Sequence, residues 1–315
     1  MWPNEATTGE DQRTMDASSA LHPAWSQAAP SVMTDGYSLE MTAKDIDALG
    51  IAAPMVAPAT PIAITFLPGE TMDARIAAAI RVRELGFEPM PHLSARRITS
   101  HDELTAIVER STAEAGVRRV FLVAGDPPVP VGPFADTMSL LRTGLFERHG
   151  IKAVGIAGHP DGHPAMKTAE LWAALAEKDR EVIDRGMAPL IVTQFGFDAD
   201  PLLAWLGELR ERGITAPVRI GVPGPAGIKT LLRFAAHCGV GATASVMSKY
   251  GVSLTKLLGT AGPDRLIDTL GKGITPGHGA VRLHFYPFGG LQRTVEWIGD
   301  YAARHNSRKK GVRPA

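Results

Sequence analysis

Residues Arg119-Val-Phe-Leu-Val-Ala-Gly-Asp126-Pro-Pro128 hold the pattern that decides the fold. A short run of β-branched and aromatic side chains stops on a polar residue set between glycine and proline. Such runs suit strands, and glycine and proline mark their ends. Outward in both directions the arrangement recurs: strand candidates end near Glu40, Thr65, His92, Asp126, His159, Gln194, Pro223 and Tyr286, spaced 25 to 63 residues apart. Each gap has room for a crossover helix. Eight strand–helix units in 315 residues predict an α/β protein built as a closed (β/α)8 TIM barrel with an N-terminal extension. The rival, a doubly wound sheet, would carry a glycine fingerprint after its first strand. Neither G-x-G-x-x-G nor G-x-x-x-x-G-K-[ST] occurs, and Gly221-Val-Pro-Gly224-Pro-Ala-Gly227 has the wrong spacing and comes late.

Helix signals fill the gaps. Ser100-His-Asp-Glu103 has the form of a capping box, in which serine and glutamate satisfy each other's amides, ahead of Leu104, Ile107 and Val108. Asp200 before Pro201 reads as an N-cap with proline at the first helical position, followed by Leu202, Leu203, Leu206 and Leu209. Ile76, Ala79 and Ile80 fall on one face of a helix after the second strand.

Composition narrows the function. Thirty-three basic and 33 acidic side chains cancel, whereas a nucleic-acid binder needs a surplus of Lys and Arg to displace counterions. Residues 48–69 are uncharged, but Pro54, Pro58, Pro61 and Pro68 interrupt them, so no membrane span is expected. The single cysteine, Cys238, excludes a disulfide framework and fits a reducing cytoplasm; it reads as a small buried apolar residue. Residues 1–36, with Glu5, Glu10, Asp11, Asp16 and Asp35 against Arg13, read as an extended tail in which Trp2 and Trp25 are the exceptions. The barrel is expected over 37–303, and 304–315, with Arg304, Arg308, Lys309, Lys310 and Arg313, as a basic tail.

In a barrel of this kind the reacting groups stand at the carboxyl ends of the strands. Those positions hold Glu40, Thr65, His92, Asp126, His159, His163 and Gln194. Glu40 reads equally well as a surface charge before the first helix, and Asp126 as a turn cap before proline. His159-Pro-Asp-Gly-His163 has a spacing that can hold zinc, but a third ligand is lacking, so these are read as hydrogen-bonding histidines and no metal is expected.

In their shared order these segments resemble the methylenetetrahydrofolate reductase family, a flavin-bearing (β/α)8 barrel. The resemblance is carried by Tyr37-Ser-Leu-Glu40, Ile64-Thr65-Phe66, Pro91-His92-Leu93, Ala124-Gly125-Asp126-Pro127-Pro128, His159-Pro-Asp-Gly-His163-Pro164, Thr193-Gln194-Phe195-Gly196-Phe197-Asp198 and Leu283-His284-Phe285-Tyr286. It implies FAD as cofactor, NADH or NADPH as co-substrate, and interconversion of 5,10-methylenetetrahydrofolate and 5-methyltetrahydrofolate. That chemistry belongs to one-carbon metabolism and methionine biosynthesis, or, run oxidatively, to methyl-group catabolism. It also implies that Thr65, His92, Gly125, Asp126, His159 and His163 line the flavin. Glu40 would touch the folate and donate the proton, while Gln194 and Phe197 hold the pterin. The proton is needed because opening the five-membered folate ring requires protonation of the departing nitrogen. A carboxyl can supply it if a dry pocket raises its pKa towards neutrality. Asp126 would then stabilise the cationic iminium.

Some positions depart from the family. Ala124 stands where arginine is usual, His159 where tyrosine is, and Pro287-Phe-Gly-Gly290 replaces Thr-Leu-Asn-Arg; the region around Lys178 is longer. Two other readings stay open: a folate-binding barrel without redox activity, and a pterin-dependent methyltransferase barrel. The expected assembly is a homo-oligomer.

Overall fold

In the last long strand Val281, Leu283 and Phe285 are buried towards the helices, while Arg282, His284 and Tyr286 alternate with them. This period of two is what a barrel strand needs, with one set of side chains for the helix layer and one for the lumen. A computed structural model describes residues 30–241, Tyr250 and residues 260–311. The strands are β1 (Ser38–Thr42), β2 (Pro61–Thr65), β3 (Glu88–Ser94), β4 (Arg119–Val123), β5 (Ala153–Gly158), β6 (Ala188–Phe195), β7 (Val218–Pro223), the short β8 (Ala226–Gly227) and β9 (Thr260–Ala261), and β10 (Val281–Tyr286). The long strands close a parallel barrel in the order β1-β10-β7-β6-β5-β4-β3-β2, and β8 pairs with β9 outside it. The expected TIM barrel is the fold.

The helices are α1 (Ile46–Ala52), α2 (Met72–Glu84), α3 (His101–Ala115), α4 (Thr137–Leu141), α5 (Leu145–Arg148), α6 (Thr168–Asp184), α7 (Ala199–Glu211), α8 (Ile228–His237), α9 (Asp264–Gly273) and α10 (Leu291–Gly311). Their apolar faces join the outward side chains of the strands in one large core. A smaller cluster of Ala63, Met90, Phe121, Leu190 and Val192 fills the lumen. Phe121 reaches across it because its neighbour is Gly155, where a Cβ would lie 2.5 Å from the ring. The lumen is thus plugged at mid-height, and polar chemistry is confined to its two ends.

Both helix starts deviate in detail from the sequence reading. Ser100 caps α3 by accepting from the Glu103 amide, but the Glu103 carboxylate accepts from the Thr99 amide at 2.6 Å rather than from Ser100. α7 begins earlier than expected: Asp198 is its N-cap, accepting from the Asp200 amide at 3.1 Å, and Pro201 sits in the first turn. Asp198→Ala is therefore expected to cost about 1 kcal/mol in chemical denaturation, and Asp200→Ala less.

The ends also differ. Val32 and Thr34 are buried, Asp35 accepts from the Val32 amide, and Arg219 donates to the Gly36 carbonyl, so the last residues of the expected tail pack on the barrel. Trp2 and Trp25 lie outside the described residues. Residues 304–311 of the expected basic tail are the end of α10, where Arg304 bonds Asp264 at 2.8 Å and His305 stacks on Tyr301 one turn back, and residues 312–315, with Arg313, lie outside the described residues. Cys238, just past α8, is half-buried rather than core. No helix among the described residues is long and apolar enough to cross a membrane.

Candidate active site

Leu39 and Met41 face the helix core, which turns Ser38, Glu40 and Thr42 to the lumen. Glu40 is therefore not a surface charge; its side chain is 18% exposed. Pairing of β1 with β10 sets Ser38 beside His284. Ser38 Oγ lies 2.8 Å from His284 Nδ1, and His284 Nε2 lies 3.5 Å from Glu40 Oε2. A serine hydroxyl donating to Nδ1 leaves the ring proton on Nε2, aimed at the carboxylate. His92 Nε2 approaches the same oxygen at 3.7 Å from β3.

Burial alone would raise the Glu40 pKa. That is the largest single influence, but the hydrogen bond from His284, the attraction of His92 and His284 and the nearby Thr65 hydroxyl together outweigh it, so the carboxyl is held below its ordinary value. Burial pushes His92 down to about 4 against the pull of Glu40, which leaves it neutral at pH 7. The His284 hydrogen bond is the largest of the influences that lower the Glu40 pKa. This corrects the expectation of a carboxyl raised by its pocket, because a donor stands within reach of it.

A second group joins the ends of β2, β3 and β4. Arg75 of α2 donates to the His92 carbonyl at 2.6 Å and lies 4.2 Å from the Phe66 ring centroid; Arg97 lies 5.7 Å from the same ring. Gly125 has φ +92°, and a Cβ there would collide with the Ser94 hydroxyl, so this turn admits only glycine. Asp126 follows, 75% exposed and bonded through Oδ1 to Arg97 Nε at 2.9 Å and Nη2 at 2.5 Å. The hydrogen bond from Arg97 holds it below the usual carboxylate range. It makes no contact with Glu40, so the two carboxylates expected to act together share an end of the barrel but sit in separate clusters.

The third group lies at the ends of β5 and β6. A cavity of about 260 Å³ is lined by His159, His163, Gln194, Phe195, His237 and Cys238, among others. The imidazoles of His159 and His163 meet edge to face at 5.2 Å. Burial, with His163 and Lys178 adding to it, pushes His159 down to about 4. Burial also lowers the pKa of Lys178 on α6. Gln194 Oε1 accepts from the Phe195 amide at 3.0 Å, which leaves its NH2 free to donate. Phe197, expected to touch substrate, is instead core: it is 1% exposed and packs edge-on against Phe195 and Tyr250.

Ser38, Arg75, Arg97 and His284 are functional candidates not singled out from the sequence. The residues present suit a polar ring system: Thr65 Oγ1 and His92 Nε2 are buried beside Glu40 without a close hydrogen-bond partner, and the Gly125 turn has no room for a side chain. Among the described residues no group of three His, Cys, Asp or Glu is placed to hold a metal ion.

A closed parallel barrel with a half-buried carboxylate, two histidines and glycine-supported turns at the strand carboxyl ends belongs with the (β/α)8 proteins that work from that face. The family model for methylenetetrahydrofolate reductase matches residues 51–292. The chain belongs to the methylenetetrahydrofolate reductase family. It is 27% identical over 184 residues to methylenetetrahydrofolate reductase (NADH) 1 of Arabidopsis thaliana, a match covering 54% of this chain and 31% of that protein. It is also 27% identical over 158 residues to methylenetetrahydrofolate reductase 2 of Saccharomyces cerevisiae, covering 48% and 25%. The match thus takes in under a third of either relative's length. A Clostridium thermocellum protein described as binding two copies of 5-methyl-5,6,7,8-tetrahydrofolic acid shares the fold, with a TM-score of 0.58 at 12% identity over 95% of this chain and all of that one.

Proposed function

We propose that the protein is a flavin-dependent oxidoreductase that interconverts 5,10-methylenetetrahydrofolate and 5-methyltetrahydrofolate with NADH or NADPH. The observation that carries this reading is the lumenal Glu40 carboxylate, flanked by His284 and His92, at the family's end of the barrel. FAD, when bound, supplies hydride transfer between the nicotinamide and the folate. Thr65, His92, Gly125, Asp126, His159 and His163 would hold it. Of these, Thr65 and His92 carry buried polar atoms, Oγ1 and Nε2, without a close hydrogen-bond partner.

Gln194, its Oε1 engaged by the Phe195 amide, offers its NH2 to an acceptor on the pterin edge. Glu40 moves the proton at the folate nitrogen: it gives the proton when the ring opens and takes it back in the oxidative direction. A ring system closing over Glu40 removes the water that now reaches it, and desolvation then raises its pKa towards the range an acid catalyst needs. His284, oriented by Ser38, fixes the carboxylate. Phe197 supports this site from behind through Phe195, without touching the substrate.

The protein is expected to purify yellow, or to turn yellow with FAD, and to bleach when NADH or NADPH is added without oxygen. A protein that neither binds FAD nor changes its visible absorbance with either nicotinamide overturns the reading. Folate retained under those conditions would favour a redox-inactive folate binder instead.

A further inference from the structure

The Arg97–Asp126 pair is built in a way that invites exchange. Both guanidinium nitrogens, Nε and Nη2, converge on one carboxylate oxygen, Oδ1. This falls short of the two-oxygen fork that a guanidinium prefers. The partners are unequal: Arg97 is 20% exposed and Asp126 75%. The arginine is also held from below. Its guanidinium lies over Phe66, whose ring is shared with Arg75, and Arg75 is anchored on the His92 carbonyl. The loop that carries Asp126 is laced from behind by the neighbouring arginine. Arg96 donates its amide to Ala124 and its side chain to Ala135 and Pro127, while its carbonyl accepts from Val131. Asp126 can therefore leave by rotating its side chain, with the loop staying in place. An exposed ion pair of this kind contributes little to stability, so giving it up costs little.

We infer that Arg97 is an anion-binding residue of the site, which takes the pyrophosphate of a bound dinucleotide in exchange for Asp126 and so releases that carboxylate into the mouth of the barrel. A pyrophosphate presents two oxygens to Nε and Nη2, where Asp126 presents one. Nearby, the cavity that holds Gln194 is also lined by His237. In the mouth the freed carboxylate becomes available to a cationic intermediate. The inference rests on the dinucleotide-dependent reading above and adds to it a coupling: cofactor loading and the availability of Asp126 are one event.

The test uses ADP, which carries the shared pyrophosphate and no reactive ring, titrated calorimetrically into the full chain freed of flavin. Asp126→Asn, which removes the competing charge at an exposed position, is expected to tighten ADP binding by 3- to 10-fold on the order expected for an exposed pair. Arg97→Gln is expected to weaken it by 10-fold or more, on the scale of a charge-assisted contact. Loss of ADP binding once FAD is present assigns the pyrophosphate to the flavin, and persistence assigns it to the nicotinamide; either supports the exchange. Unchanged or weaker ADP binding by Asp126→Asn overturns it, as does unchanged binding by Arg97→Gln. If FAD binds and bleaches normally while these variants behave like wild type, the exchange alone fails. If the variants respond as expected but FAD never binds, the flavin reading alone fails.

Discussion

Glu40→Gln is expected to give a protein that still binds FAD and is still bleached by NADH, while folate turnover falls by about 10²- to 10⁴-fold, the range for losing a positioned acid. Glutamine keeps the shape and can still accept from His284 Nε2, so the lumenal cluster should stay assembled. What it lacks is a transferable proton. Flavin reduction by the nicotinamide needs none from this residue, and so the two half-reactions separate. Their pH dependence should separate as well. Glu40 starts below its ordinary value in the ligand-free protein and is raised only as the pocket fills. The folate step therefore slows as pH rises through the value in the complex, and NADH bleaching does not follow it. Rapid-mixing absorbance of each half-reaction checks both points. Normal folate reduction by Glu40→Gln would remove the proton role from this carboxylate.

The separation between Glu40 and Asp126 shows what a sequence can carry and what it cannot. Strand ends were legible because apolar runs stop on polar residues between glycine and proline, and Gly125 stands at a turn only glycine tolerates. The same alternation in Val281–Tyr286 that made β10 legible also pointed His284 into the lumen, so that facing could have been read from the period, though not its place beside Glu40, which needs β1 to pair with β10. Arg97 could not. Its partner lies 29 residues away on the next strand's loop, and only barrel closure brings the two turns together. The Glu40 pKa was misjudged for the same reason: burial is visible in a sequence, but a hydrogen bond from a residue 244 positions away is not. Phe197 is assigned to the pterin only by the family resemblance of its segment, whereas here the aromatic cluster of Phe195 and Tyr250 claims it.

Asp179 shows the reverse case, a charge that the spacing places wrongly for stability. It follows Trp172 and Leu175 and precedes Val182 on the buried face of α6. There its Oδ1 has no hydrogen-bond partner, and Arg210, whose Nη2 is likewise buried without one, only partly compensates. Burial pushes the carboxyl up to about 6, against the attraction of Arg210. A folded value above the unfolded one means that the native state binds this proton more tightly. The group's contribution is therefore fully present below about pH 4 and is lost as pH rises through about 6. A shift of about two units corresponds to about 3 kcal/mol, which partial solvent screening reduces to about 2 kcal/mol. Asp179→Asn is thus expected to match wild type near pH 4 and to exceed it by about 2 kcal/mol near pH 8. Because other carboxylates, such as Glu40 and Asp126, are shifted the opposite way, the measure is the difference between the two proteins in urea denaturation at several pH values. A difference that stays constant across that range would mean that Asp179 is charged alike in the folded and unfolded chains. In that case the buried Arg210, rather than the proton, balances it.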